Sequence, residues 1–426
     1  MKRKIMWLLC AGLFVFFMGA ASLSQEAWGA SSPGAREAER IERAELFKRI
    51  ENLDKLPQKA REAERAELVK KVTNFRRSLS SEEIEAERAE ILKKMANVKG
   101  AEKFKQTING KTVYVVKMAT LAPDGVGWAS LIRDIVNPGI LKETDGLILL
   151  DWYYGATMGD DQDILAKMRN EQLQGGGFSG QGMAIACPEI ALLELPFLFE
   201  SYDEVEYVYS KLRPRINQWF EKRGYHLVVL AEQDFDQIYS TKYEMKTPDD
   251  FKNSRVLTWY GPLEERTLKA LSASPLPIRV PEVAASIRTG VCDAFISPSI
   301  WAVGTQMYTI MKYINPIKIR YSPAGGIITT KTWNLLPKEF QFIIDNYVLS
   351  IEKDFRKQVR VGNEKCLKAM YKYGMKEVKM TPAELDVFKK RLLPLWDKFA
   401  AKGYYSKAEL AEVKALLAEY RAKNKK

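Results

Sequence analysis

The sequence predicts an α/β body preceded by an all-α segment of three helices, and three observations carry that expectation. Strand-like and helix-like stretches alternate from Thr112 onward. Residues 36–103 hold a charged, Ala-rich repeat at helical spacing. The composition is that of a folded chain: 46% hydrophobic and 28% charged over 426 residues, enough for two or three compact units.

At the N-terminus, Lys2, Arg3 and Lys4 precede an uncharged run from Ile5 to Ala21, and small residues follow at Ala27, Gly29 and Ala30. This reads as a secretory signal peptide over residues 1–30, cleaved on export to the periplasm. Cys10 lies inside the apolar run after Leu9, which is not the setting of a lipoprotein cysteine. Export permits disulfides, but Cys187, Cys292 and Cys366 are odd in number and far apart, so they read as small buried apolar residues. The net charge is +12 and the isoelectric point about 9.2. The bases are interleaved with acids and no nucleic-acid motif accompanies them, so nucleic acid is not an expected partner.

Residues 31–105 form the charged helical segment. Arg43 to Leu53 recurs as Arg65 to Phe75 and again as Arg88 to Val98. Each copy puts apolar residues at relative positions 0, 1, 4 and 7: Leu46, Phe47, Ile50 and Leu53; Leu68, Val69, Val72 and Phe75; Ile91, Leu92, Met95 and Val98. That is one face of a helix of about five turns. Pro57 suits the first turn of the second helix, and Ser80 with Glu83 makes a capping box for the third. The narrow stripes can pack on one another, on the body or on a partner, so self-association or partner docking through residues 36–103 is an expectation to be tested.

In the body, Val113–Ala119 and Leu147–Tyr153 read as strands, followed by helices over 127–142 and 161–170. Further strands are expected near 226–231, 238–241, 255–259 and 292–296, and helices near 202–222, 262–271 and 281–289. Such alternation predicts largely parallel sheets. From Pro337 the chain reads as helical: 337–373, 382–400 and 406–422.

Local motifs carry little chemistry. Gly175-Gly176-Gly177-Phe178-Ser179-Gly180 matches G-x-G-x-x-G, but it follows a helical pattern and no helix obviously opens on it, so a close backbone approach or tight turn is expected instead of a dinucleotide site. Gln181 stands where a nucleophile elbow needs glycine. Asp161 and Asp163 read as helix N-terminal charges, since the rest of a calcium loop does not follow. The single histidine, His226, rules out a His-based zinc cluster and disfavours a nucleophile–histidine triad. No enzyme, cofactor or metal site is expected.

Over residues 112 to 400 several motifs occur in order: Lys117-Met118-Ala119-Thr120-Leu121-Ala122-Pro123 with Trp128; Gly155 with Met158-Gly159-Asp160; Leu195-Pro196-Phe197-Leu198-Phe199 with Tyr202; Thr247 to Lys252; Pro275-Leu276-Pro277; and Arg288 to Ala294. In these the chain resembles the DctP-type substrate-binding proteins of TRAP transporters. The resemblance implies a two-lobed, periplasmic-binding-protein-like α/β fold over 110–400, with the second lobe at roughly 236–330. It also implies a long helix across both lobes, leaving residues 401–426 as a C-terminal helix. It further implies capture of one small molecule between the lobes and delivery to TRAP-type membrane permease subunits, without catalysis. The family's usual arginine after the Thr-Pro-Asp-Asp element clamps a carboxylate; here Leu257 falls at that position. The resemblance is therefore to a branch lacking the clamp.

The expected ligand-binding residues are Trp128, Phe178, Ser179, Gln181, Phe235, Asp236, Leu257, Trp259, Tyr260, Ser297, Trp301 and Tyr321, with Gln233 as a further orienting group and Arg255 as a fallback anion partner. An aromatic, apolar cleft of this kind suits a small, partly apolar organic ligand, a monocarboxylate or lipid-like acid among the candidates. The rival reading is a periplasmic interaction or sensor scaffold that uses the helical repeats for docking or oligomerisation.

Overall fold

The computed structural model describes residues 33–424 apart from Val126, Trp259 and Tyr260. The expected signal peptide over residues 1–30 lies outside the described residues.

The repeats form helices α1 (Pro33–Asn52), α2 (Gln58–Ser78) and α3 (Ser81–Ala96). Helix α2 starts directly after Pro57, and Ser80 and Glu83 close the capping box of α3. The first, fifth and, in the first repeat, eighth stripe positions are buried: Leu46, Ile50, Leu53 (in the turn just after α1), Leu68, Val72, Ile91 and Met95. They share a cluster with Tyr114, Val116, Leu131, Phe340 and Phe342 of the body. The stripes are thus covered by the body, and docking by residues 36–103 would have to use their charged outer faces. The repeat arginines diverge in use. Arg43 pairs with buried Glu87 at 3.1 Å, Arg65 reaches Asn346 at 2.9 Å, and Arg88 donates to the carbonyls of Thr112, at 2.5 Å, and Asp145.

The body is built on one ten-stranded sheet. Its first half holds β1 (Lys105–Ile108), β2 (Lys111–Thr120), β3 (Ile148–Tyr153) and β4 (Gly175–Ser179). Next come β5 (Tyr225–Ser240), β6 (Arg255–Thr258), β7 (Ser274–Pro277), β8 (Ala294–Ser297), β9 (Tyr313–Thr329) and β10 (Lys376–Glu377). The order is β1-β2-β4-β9-β5-β8-β6-β7, with β3 also on β2 and β10 on β9. Where a largely parallel sheet was expected, the sheet is mixed. The pairs β2–β3, β2–β4, β6–β7 and β6–β8 are parallel, whereas β9 runs antiparallel to both β4 and β5.

Strands β5 and β9 pair from Tyr225↔Thr329 to Ser240↔Tyr313 and so belong to both halves of the sheet. Pairing with β4 ends at Ala324 of β9, and pairing with β8 begins at Gln237 of β5. Two register shifts, at Glu232/Asp234 and Asp236/Ile238, fall in this crossover. Bulges bend strands and re-aim side chains, so the lobes meet where the ladder is least regular.

Helices α4 (Asp161–Arg169), α5 (Gly180–Ala186) and α6 (Tyr202–Lys222) belong to the first lobe, and α7 (Pro262–Ala270) and α8 (Ser299–Gly304) to the second. Helix α9 (Lys338–Tyr373), 36 residues long, spans about 54 Å. Its N-terminal part packs on the first lobe through Phe340 and Ile344, and its C-terminal part on the second through Met370. Helix α10 (Lys407–Lys423) returns to α6, where Arg421 pairs with Glu204 at 2.6 Å. Cys187, Cys292 and Cys366 are buried, and none is in a disulfide among the described residues. His226 stacks on Trp333, ring centroids 3.8 Å apart, and bonds Asp345 at 2.8 Å. That is a packing role in the seam that Arg65 of α2 also reaches.

Candidate functional site: an interlobe cavity

A cavity of about 130 Å³ lies between the lobes, room for about ten water-sized positions. The first lobe supplies Thr120 to Pro123 from the end of β2, then Trp128, Asp160 to Gln162 at the start of α4, Gly177 to Ser179, and Gln181 and Gly182 with Ile185. The second supplies Val280, Ile296 to Pro298, Ile300 and Trp301, and α9 supplies Val359. The crossover strands supply Gln233, Asp236, Arg320 and Ser322. Strand ends and lobe junctions are where open α/β folds place ligands.

The glycine-rich stretch is a strand and a helix start, not a loop, and part of it lines the cavity. Gly175–Ser179 is strand β4, and contrary to expectation a helix opens on it: Ser179 caps α5 by accepting from the Gly182 N–H at 3.2 Å. Its glycines make room for carboxylates. A Cβ on Gly180 would sit 1.7 Å from Glu194 Oε1, and one on Gly182 2.3 Å from Asp161 Oδ2. The cap of α4 is Asp160, in a capping box with Asp163, one residue earlier than the expected Asp161. Asp161 instead turns to Ser179, whose hydroxyl donates to Oδ2 at 2.5 Å.

At the crossover, Asp236 and Arg320 are cross-strand neighbours, and Arg320 Nε donates to Asp236 Oδ2 at 2.5 Å. Arg320 Nη2 lies 3.0 Å from Glu264 Oε1. Glu264 Oε2 accepts from Gln181 Nε2 at 3.0 Å and from the Thr258 hydroxyl at 3.1 Å. Burial works against the charge of Arg320, but Glu264, Asp236 and Glu194 outweigh it and hold the guanidinium protonated. Burial pushes the acids the other way: Asp236 to about 6 against the pull of Arg320, Asp161 to about 7 despite the Ser179 hydrogen bond, and Glu194 to about 8.

Polar contacts among the described residues join the lobes across this cavity. Gln181 of α5 meets Glu264 of α7, and Arg279, just after β7, bonds Asp160 at 3.1 Å and also Asp163.

Of the twelve expected residues, Trp128, Phe178, Ser179, Gln181, Asp236, Ser297 and Trp301 line the cavity. Trp128 is fixed by its indole N–H, which donates to the Glu232 carbonyl at 3.1 Å. Phe235 and Tyr321 are absent from the lining. They oppose each other one step along the ladder from Asp236–Arg320, so the period-2 alternation turns them to the other face. There their rings meet at 5.5 Å, and Tyr321 donates to Glu232 at 2.6 Å. Leu257 is also not in the lining; it is fully buried in a separate apolar cluster with Tyr239 and Phe295. Trp259 and Tyr260 lie outside the described residues. Arg255 pairs with Asp293 at 3.3 Å, away from the cavity. The reading missed Arg320, Glu264 and Glu194. The available signal was an ionised residue inside an apolar run, as in Ile319-Arg320-Tyr321 and Leu193-Glu194-Leu195, since a buried charge needs partners.

Among the described residues no group of three or more His, Cys, Asp or Glu has the spacing to hold a metal ion, and no helix is long and apolar enough to cross a membrane.

Comparison with known proteins gives the relationship. A 2,3-diketo-L-gulonate-binding periplasmic protein, YiaO of Escherichia coli (strain K12), is 21% identical over 243 residues, 57% of this chain and 74% of that protein. An uncharacterized protein of Haemophilus influenzae is 28% identical over 215 residues, 50% of this chain and 65% of that protein. Among solved structures, a TRAP periplasmic solute-binding protein from Haemophilus influenzae with bound L-gulonate superposes with a TM-score of 0.67 at 22% identity, covering 71% of this chain and 99% of that one. The sugar acid binding protein of Advenella mimigardefordensis with galactonate does so at 0.68 and 17%, covering 72% and 98%. These likenesses fix the two-lobed fold. The profile of the bacterial extracellular solute-binding proteins, family 7 (DctP), matches residues 139–403, more than half of the sequence, and the chain belongs to that family.

Proposed function

We propose that the protein captures a small, partly apolar organic solute between its lobes and hands it to the membrane subunits of a TRAP-type transporter, without chemical change. The observation that carries this reading is the cavity at the strand crossover, walled by Trp128, Phe178 and Trp301 and floored by Asp236 and Arg320. Family membership supports it. YiaO and the two solved structures named above are binding proteins, which supports a non-enzymatic role. Apolar burial would supply most of the affinity, and a few polar groups the orientation.

Capture takes place outside the cytoplasm, after removal of residues 1–30; intact mass of the exported protein tests the cleavage. Native mass spectrometry of gently purified protein, followed by a thermal-shift screen, tests capture. A copurifying small molecule, or a melting shift lost in Trp301→Ala while circular dichroism is unchanged, is the expected result. No ligand from an acid, amine, polyol and lipid panel, together with an empty native spectrum, would count against it.

A further inference from the structure

The polar groups of the cavity are unbalanced. Three buried residues lining it each carry an acceptor oxygen with no hydrogen-bond partner among the described residues: Asp161 Oδ1, Asp236 Oδ1 and Gln181 Oε1. Their residues are only 6%, 0% and 7% exposed. The Gln181 assignment is fixed, because its amide nitrogen already donates to Glu264. Among the described lining residues, no buried side-chain donor lacks a partner. A buried acceptor left unmet costs about 1–3 kcal/mol, so the complement this site asks for is a set of N–H or O–H donors.

The charges point the same way. Among the described lining residues Arg320 is the one guanidinium, and it is already held by Asp236 and Glu264, with the buried carboxyl of Glu194 also in its field. A ligand carboxylate would have to displace one of these partners and leave a buried acid uncompensated. A cation instead meets the unpaired oxygens of Asp161 and Asp236 in a cavity also lined by Trp128, Phe178 and Trp301, and aromatic rings favour positive charge.

Resting on the reading of this cavity as the solute site, we infer that its ligand is an organic ammonium, a primary or secondary amine of about ten non-hydrogen atoms with an apolar body, and not a carboxylate. The ammonium donates to Asp161 Oδ1 and Asp236 Oδ1, and Gln181 Oε1 takes a further donor. Burial now holds Asp161 at about 7; a bound cation favours its ionised form, so binding releases a proton near neutral pH and tightens as pH rises.

The test uses the full exported chain at pH 8. Melting shifts and calorimetric Kd values are measured for 2-phenylethylamine, hexylamine and cyclohexylmethylamine, each against its matched carboxylate and alcohol. The amines are expected to bind at least about tenfold tighter than their partners. Asp161→Asn and Asp236→Asn are expected to weaken them by about tenfold or more. Asp161→Asn guards against a folding artefact, because burial already favours the neutral form there. A carboxylate that outperforms its matched amine, or amine Kd values unchanged in both variants, overturns the ligand class and leaves solute capture standing. Silence from all three chemistries, with no small molecule in the native mass spectrum, overturns both.

Discussion

Arg320 shows how a single buried charge organises its surroundings. Its guanidinium is held by Asp236 at 2.5 Å and Glu264 at 3.0 Å, and all three side chains are nearly inaccessible. Deleting one partner of such a pair strands the other. Asp236→Ala should therefore cost about 3–5 kcal/mol in urea unfolding. The double variant Asp236→Ala with Arg320→Met should recover part of that loss; strictly additive costs would show that the two do not act as a pair. Gly180→Ala should cost about 1–3 kcal/mol, because the added methyl meets the buried carboxyl of Glu194 and lies 3.0 Å from the Pro323 carbonyl. A neutral outcome would mean Glu194 moves freely. Seven of the expected site residues reach the cavity because aromatic and small polar residues at strand ends mark such sites in sequence. Phe235 and Tyr321 did not, for a reason the sequence hides. A pleated strand reverses face at every residue, and the bulges at Glu232/Asp234 and Asp236/Ile238 reset the phase without changing composition.

Elements were legible where their periodicity was uninterrupted. The capping box at Ser80, the proline before α2 and the stripe of α9 all act locally, so sequence spacing reports them. Strand β9 was missed although it spans 17 residues and joins the lobes. Pro316, Pro323, Gly325 and Gly326 break its pattern, and what makes it a strand is pairing with β5 and β4, far away in sequence. For the same reason β5 looked like two strands with a gap over the bulged crossover. The repeat helices give an element-scale prediction. Their stripes cover Tyr114, Phe340 and Phe342, and Arg88 satisfies two backbone carbonyls at the edge of the first lobe. A chain beginning at residue 101 should melt several degrees lower and bind a hydrophobic dye. Arg88→Ala should cost about 1.5–3 kcal/mol. An unchanged melting point and no dye signal on truncation would recast the segment as an independent appendage.

On the scale of the whole molecule, the contacts that join the lobes sit near buried acids whose affinity for protons is raised. Arg279 bridges to Asp160 and Asp163 at the mouth. It is half exposed, so Arg279→Ala should speed ligand release only a few-fold in stopped-flow traces and leave the fold intact; a release rate identical to wild type would remove it from closure. The acids have the larger effect. Burial holds Asp161 at about 7 and Glu194 at about 8 in the folded chain, against 3.8 and 4.5 when unburied. Between those limits the folded chain keeps protons that the unfolded chain has released. Their contribution to stability is therefore whole below about pH 4 and is lost as pH climbs through 7 and 8, by at most about 1.4 kcal/mol per pH unit for each group. The ligand-free protein should thus carry a downward slope in melting temperature from pH 5 to pH 8.5, and Glu194→Gln should flatten it. An amine in the cavity acts in the opposite sense, since it binds the ionised acids, so the stabilisation from 2-phenylethylamine should grow over the same interval. Melting curves at half-unit pH steps, with and without the amine, separate the two slopes. If Glu194→Gln leaves the ligand-free slope as it was, Glu194 is not a group that makes the stability of the ligand-free fold depend on pH.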